Sequence, residues 1–101
     1  MSQPPGGAFE VEIGDGVVSV RGEIDHVTID HVVRAVESAG DVVVLELARV
    51  TFIDSSGLQG VLRTQQAARS RGGDVVLRRP SHVVDRVLEI TGLRDVFVIE
   101  R

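Results

Sequence analysis

Lysine, cysteine, tryptophan and tyrosine are all missing from these 101 residues. Without cysteine there are no disulfide staples, no thiol redox switch and no cysteine-based zinc site. Without lysine there is no lysine-based phosphate clamp. Neither a Gly-x-x-x-x-Gly-Lys-Ser/Thr loop nor a Gly-x-Gly-x-x-Gly fingerprint is present, so intrinsic kinase or ATPase activity has nothing to stand on. With only three Phe, the core must be mostly aliphatic. No apolar run approaches the ~20 residues of a membrane span, and the N-terminus lacks the basic and apolar regions of a signal peptide. The expectation is a cytoplasmic protein without membrane insertion. The formal net charge of −4 disfavours direct nucleic-acid binding, which leans on a basic patch. The short basic clusters, Arg69 with Arg71 and Arg78-Arg79, read as a solvated helix end and strand end.

What is present suits one small α/β domain. Apolar residues make up 43% of the chain, normal for a folded domain of this length. Residues 1–8, rich in Ser, Gln, Pro and Gly, read as a flexible tail, and 9–101 as the domain. Phe9, Val11 and Ile13 alternate with polar residues as in a half-buried strand. Gly14-Asp15-Gly16 signals a hairpin turn, and Val18 and Val20 continue a second strand to Gly22. Ile29, Val32, Val33 and Val36 have the spacing of a helix face, closed by Gly40. Val42 to Leu47 is near-continuously apolar, the pattern of a strand covered on both faces. Leu58, Val61, Leu62, Gln65 and Ala68 mark a second helix, stopped by Gly72-Gly73. Val75-Val76-Leu77 is the next strand. Ser81 is placed to cap a third helix bearing Val83, Val84, Val87 and Leu88, which Gly92 ends in a left-handed cap. Val96 to Ile99 forms a last short strand. The order is β-β-α-β-α-β-α-β, a mixed sheet with helices packed on it.

The candidate site falls between the third strand and the second helix, at Asp54-Ser55-Ser56-Gly57. An acid and two hydroxyls there meet free backbone N–H groups and the positive end of a helix dipole. A phosphate added at such a point is compatible with the fold and changes what the surface offers a partner. Simple capping by Ser55 or Ser56 accounts for one hydroxyl, and complementing the dipole accounts for Asp54. Gly57 costs helix stability, and its smallness is expected to let another protein approach the hydroxyl. Asp25, at the end of the second strand, is a candidate cap for the first helix. It is also a candidate for the partner surface, because strand ends and helix starts share one edge in such folds.

Four segments in order resemble the bacterial anti-sigma factor antagonists of the STAS-domain family. Val50-Thr51-Phe52-Ile53-Asp54-Ser55-Ser56-Gly57-Leu58 is similar to that family's phosphorylation-site region, in which the second hydroxyl residue, here Ser56, is phosphorylated. Gly22-Glu23-Ile24-Asp25 with Thr28 is similar to its Gly-Glu-Leu-Asp segment. Gly72-Gly73 with Val75-Val76-Leu77, and Val87-Leu88 with Thr91-Gly92-Leu93, match its later elements. The resemblance runs from about Phe9 to Ile99. It implies a regulator, not an enzyme, with no cofactor of its own. Unphosphorylated, it would bind an anti-sigma factor with GHKL-type serine kinase activity and so free a sigma factor for transcription, as in partner-switching stress responses. Phosphorylation of Ser56 would break the complex, and a PP2C-type phosphatase would reset it. The implied partner-binding residues are Asp25, Asp54, Ser55, Ser56 and Gly57. The family normally adds a C-terminal helix, and this chain stops at Glu100-Arg101 before one, as a truncated chain or a short member.

Other chemistries fit less well. His26, His31 and His82 invite a Ser56–His–Asp hydrolase triad. Ser56 is not in a Gly-x-Ser-x-Gly elbow, and the chain leaves little room for a substrate pocket. His26 and His31 are five apart, not the i, i+4 of a helical metal pair. Two alternatives from other classes are a STAS subunit of a membrane transporter or lipid-trafficking complex, and a module that binds a small ligand.

Overall fold

The computed structural model describes residues 9–101, so the tail expected at 1–8 lies outside the described residues. Strands β1 (Glu10–Gly14) and β2 (Val17–Ile24) form the antiparallel hairpin. Its two-residue turn needs positive φ at both positions, which Asp15 and Gly16 supply at 53° and 75°. Helix α1 (Ile29–Ala39) leads to β3 (Val42–Ile53), α2 (Ser55–Ser70), β4 (Asp74–Arg78), α3 (His82–Thr91), a 3-10 turn (Arg94–Val96) and β5 (Val98–Glu100). The sheet order is β1-β2-β3-β4-β5, and every pair after the first is parallel. The fold class is the mixed-sheet α/β domain that the pattern predicts.

The core lies between one sheet face and the helices. Val18, Leu45 and Leu77 share one cross-strand row and are all buried. Val32 and Val36 from α1, Val61 and Ala68 from α2, and Val84 and Leu88 from α3 join them in the core. Helices α1 and α2 touch closely at Gly60, where a Cβ would overlap Ile29. Gln65 is buried on α2, and its Nε2 donates to the Val96 carbonyl at 2.7 Å, tying α2 to the 3-10 turn. Ser81 caps α3, accepting from the Val84 N–H at 3.3 Å, and Gly92 ends it at φ 73°.

Three expectations change. Strand β3 is not covered on both faces: Val43, Leu45 and Leu47 are buried, while Val42 is 63% exposed and Val44 is half-buried. The open sheet face carries a row of valines, Val17, Val44, Val76 and Val98, so an apolar run can reflect a valine-rich open face as well as a two-sided one. The strand also runs on to Ile53. Register shifts against β2 at Ser19/Arg21 and at Gly22/Glu23 give β3 an extra residue each time, which breaks the alternation a sequence pattern relies on. At the other end, Val96 belongs to the 3-10 turn and the last strand begins at Val98.

The basic clusters are surface ion pairs. Arg69 meets Asp74 at 3.0 Å, Arg71 meets Asp41 at 3.1 Å and Arg78 meets Glu100 at 3.0 Å, while Arg79 pairs with Glu46. Each guanidinium there has a carboxylate partner, which leaves little of a phosphate-binding patch.

Candidate functional site

Strands β2 and β3 are paired to their ends, with Ile24 opposite Ile53. Asp25 and Asp54 each follow the last paired residue, and the Asp54 N–H donates to the Ile24 carbonyl at 3.2 Å. The two acids therefore leave neighbouring strands about 5 Å apart along one sheet edge.

Asp54 is the N-cap of α2. Its backbone is extended (φ −102°, ψ −177°), and its carboxylate accepts the Gly57 N–H at 2.8 Å. The cap is thus the acid, and neither serine performs it. Ser55 and Ser56 are the first two helical residues, and both are exposed. Among the described residues neither hydroxyl makes a side-chain hydrogen bond, so the Ser56 Oγ stands free on the first turn of the helix. With Asp54 assigned to the third N–H, the N–H groups of Ser55 and Ser56 are the ones left without intrahelical acceptors.

Gly57 has a different role from the expected one. It is buried, and a Cβ there would overlap the Ile24 carbonyl oxygen and lie 2.9 Å from Ile24 Cγ2. The glycine lets the start of α2 sit against the end of β2. It faces inward and opens no path to the hydroxyl from outside.

Asp25 does not cap α1 directly. The residue before that helix is Thr28, and Asp25 holds the intervening turn. Its Oδ1 accepts the Val27 N–H at 2.9 Å and the Thr28 N–H at 3.0 Å. The buried Thr28 hydroxyl donates to the Glu23 carbonyl at 2.7 Å and accepts the Asp25 N–H at 2.9 Å. Thr28, which the sequence marks only as part of the segment that resembles the family, is the locking residue, a role that pattern reading misses. The available signal is the Asp-x-x-Thr spacing of a side-chain-closed turn.

These bonds favour the ionised acid. The Thr28 N–H, helped by the Val27 N–H and the Thr28 hydroxyl and opposed by partial desolvation, holds the Asp25 carboxyl below the usual carboxylate range. A folded-state pKa below the unfolded one adds stability above the unfolded value of about 4. That stability is lost as pH falls through the folded value. Urea midpoints of wild type and Asp25→Asn should therefore differ at pH 7 and converge as the pH drops below about 4. A gap that stays constant with pH would contradict this role.

The structure brings together Asp25, Asp54, Ser55, Ser56 and Gly57, as the sequence predicts. It does not bring the histidines to them as a group: His31 packs its ring 5.9 Å from Phe9, and His82 opens α3. No cluster of three metal-ligating side chains occurs among the described residues. No helix there is long and apolar enough to cross a membrane.

The structure is a single mixed-sheet α/β domain that presents, at a helix start beside an acid-locked turn, a serine hydroxyl with no side-chain hydrogen bond among the described residues. The STAS domain family model matches residues 8–101, and the chain belongs to that family. It is 33% identical over 98 residues to the anti-sigma F factor antagonist of Paenibacillus polymyxa, covering 90% of this chain and 84% of that one. The crystal structure of an anti-sigma factor antagonist from Mycobacterium paratuberculosis matches with a TM-score of 0.72 at 31% identity, over 98% of this chain and 90% of that one. The anti-sigma factor antagonist SpoIIAA in its unphosphorylated form matches with a TM-score of 0.71 at 25% identity, over 93% and 89%. The Bacillus SpoIIAA structure in the phosphorylated form shares the fold with a TM-score of 0.66 at 24% identity, over 93% and 92%.

Proposed function

We propose that this chain is an anti-sigma factor antagonist that works by partner switching. Unphosphorylated, it binds an anti-sigma factor through the edge that bears Ser55 and Ser56, which Asp25 and Asp54 shape from the two strand ends over the buried Gly57, and so frees a sigma factor. The anti-sigma factor is also a GHKL-type serine kinase. It transfers the γ-phosphoryl group of its own ATP to the Ser56 oxygen: the O–P bond forms, the bond to ADP breaks and the hydroxyl proton is released. The product no longer binds, and a PP2C-type phosphatase restores the hydroxyl. This chain is the substrate of that chemistry and supplies none of the catalysis.

The carrying observation is the Ser56 hydroxyl, exposed and unbonded on the second residue of α2. Its freedom leaves it available to an in-line donor, and the helix start offsets part of the charge that a phosphate adds.

Wild-type protein used as bait in a lysate of its source organism should recover an ATP-binding anti-sigma factor, identified by mass spectrometry. With that partner and ATP, wild type should gain one phosphate and Ser56→Ala none. A phosphate on Ser56→Ala would move the acceptor, to Ser55 first. Recovery of transporter subunits instead would overturn the reading.

A further inference from the structure

A lone exposed apolar side chain needs no explanation, and several here stand singly on outlying elements, such as Ile90 on α3 at 71% exposure. Val27 and Phe52, the latter 45% exposed on β3 two residues before Asp54, lie instead at the end of the sheet that bears Ser56, and of the two Val27 stands off the sheet in a pinned turn. It is 59% exposed in the turn between β2 and α1. That turn leaves the sheet next to Asp54, at the edge that bears Ser56. Its backbone is pinned on both sides: Asp25 Oδ1 accepts the N–H groups of Val27 and Thr28, and the Thr28 hydroxyl is bonded to the Glu23 carbonyl below.

We infer that Val27 is an apolar anchor for the partner of Ser56, and that Asp25 is a positioning residue that fixes Val27 instead of touching the partner itself. This rests on the partner-switching reading above. The Asp25 Oδ1 is taken up by two backbone donors, so the oxygen that builds the turn is not open to a partner and only Oδ2 remains for one. The turn it builds holds a β-branched side chain, stiff at χ1, out in solvent. A side chain already ordered before contact loses little freedom on binding. The matching surface on the anti-sigma factor is an apolar recess of isopropyl size, beside whatever group meets the Ser56 hydroxyl. Its contribution should be nearly independent of salt, because burial of apolar area is not screened as charge pairs are.

The test titrates the purified anti-sigma factor recovered with wild-type bait against variants of the full chain. Val27→Ser should weaken binding about tenfold at both low and high salt, with an unchanged urea midpoint, and Val27→Ile should retain the affinity. Asp25→Asn, whose Oδ1 still accepts both N–H groups, should stay close to wild type, whereas Asp25→Ala should lose about as much as Val27→Ser. Ile90→Ser should bind as wild type does, which separates an anchor from general surface stickiness. Wild-type affinity in Val27→Ser overturns the inference. So does a loss in Asp25→Asn as large as in Asp25→Ala, since that would make the acid's charge the contact. If wild type itself captures no anti-sigma factor, the partner-switching reading fails and this inference falls with it. If wild type binds and Val27→Ser binds equally, only the inference fails.

Discussion

Gly57→Ala should destabilise the domain by about 2 kcal/mol in urea unfolding, although alanine is the better helix former by about 1 kcal/mol. Two effects compete at this position, and geometry decides between them. The added methyl would meet the Ile24 carbonyl oxygen, a backbone atom held at the end of a paired strand, as well as Ile24 Cγ2. A flexible side chain could swing aside, but the end of a paired strand cannot. The start of α2 must therefore lift off β2, and the Asp54 N–H bond to the Ile24 carbonyl stretches with it. Because Ser55 and Ser56 ride on that turn, partner binding should fall further than stability does, even where the variant is fully folded. Gly14→Ala is the control. A Cβ there meets nothing within 4 Å, and surface substitutions of that kind stay within about 0.5 kcal/mol. Equal midpoints for Gly57→Ala and wild type would show that α2 can retreat freely, and that the close approach does not position the serines.

The same glycine shows where pattern reading stops. Its presence beside the serines is legible in the sequence, but its reason is a contact with a residue 33 positions earlier, which no local pattern encodes. Local signals fared well where local physics sets the structure. The Gly14-Asp15-Gly16 hairpin, the Ser81 cap and the Gly92 left-handed terminus all lie where the turn and cap chemistry puts them. The order of elements followed from hydrophobic periodicity. The length of β3 did not, because two register shifts against β2 move its buried residues from Leu47 to Val50 and then to Ile53, off the two-residue period. Assigning the cap of α2 to a serine failed for a similar reason. Asp and Ser are near-equal caps in isolation, and the choice fell to Asp54 because β3 pairs through Ile53 and leaves the next residue extended. The site's membership was legible through the motif and its resemblance. The division of labour within it, with Asp54 as cap, Gly57 as spacer and Asp25 with Thr28 as lock, needed the strand register.

That division bears on what a charge at Ser56 does. Ser56→Asp should leave thermal unfolding nearly unchanged while weakening anti-sigma factor binding by about 1–3 kcal/mol, measured by calorimetric titration with the purified partner. Stability should hold because the substituted side chain is exposed, takes no hydrogen bond away from the fold, and brings a negative charge to the positive end of α2. The Asp54 cap and the Asp25 turn keep their partners, since neither uses the Ser56 hydroxyl. Binding should suffer because the edge already carries two carboxylates, each held by backbone donors and unable to swing away. A surface shaped to receive a hydroxyl then meets an added charge that it must desolvate without a compensating cation. The switch acts through local electrostatics on a rigid edge. Ser56→Asp should therefore keep the acid-dependent stability that Asp25 contributes, because the Asp25 lock is untouched. A large fall in melting temperature would mean that the charge disrupts the start of α2. Undiminished binding at unchanged stability would remove charge as the basis of the switch and leave the bulk of a true phosphate as what the partner rejects.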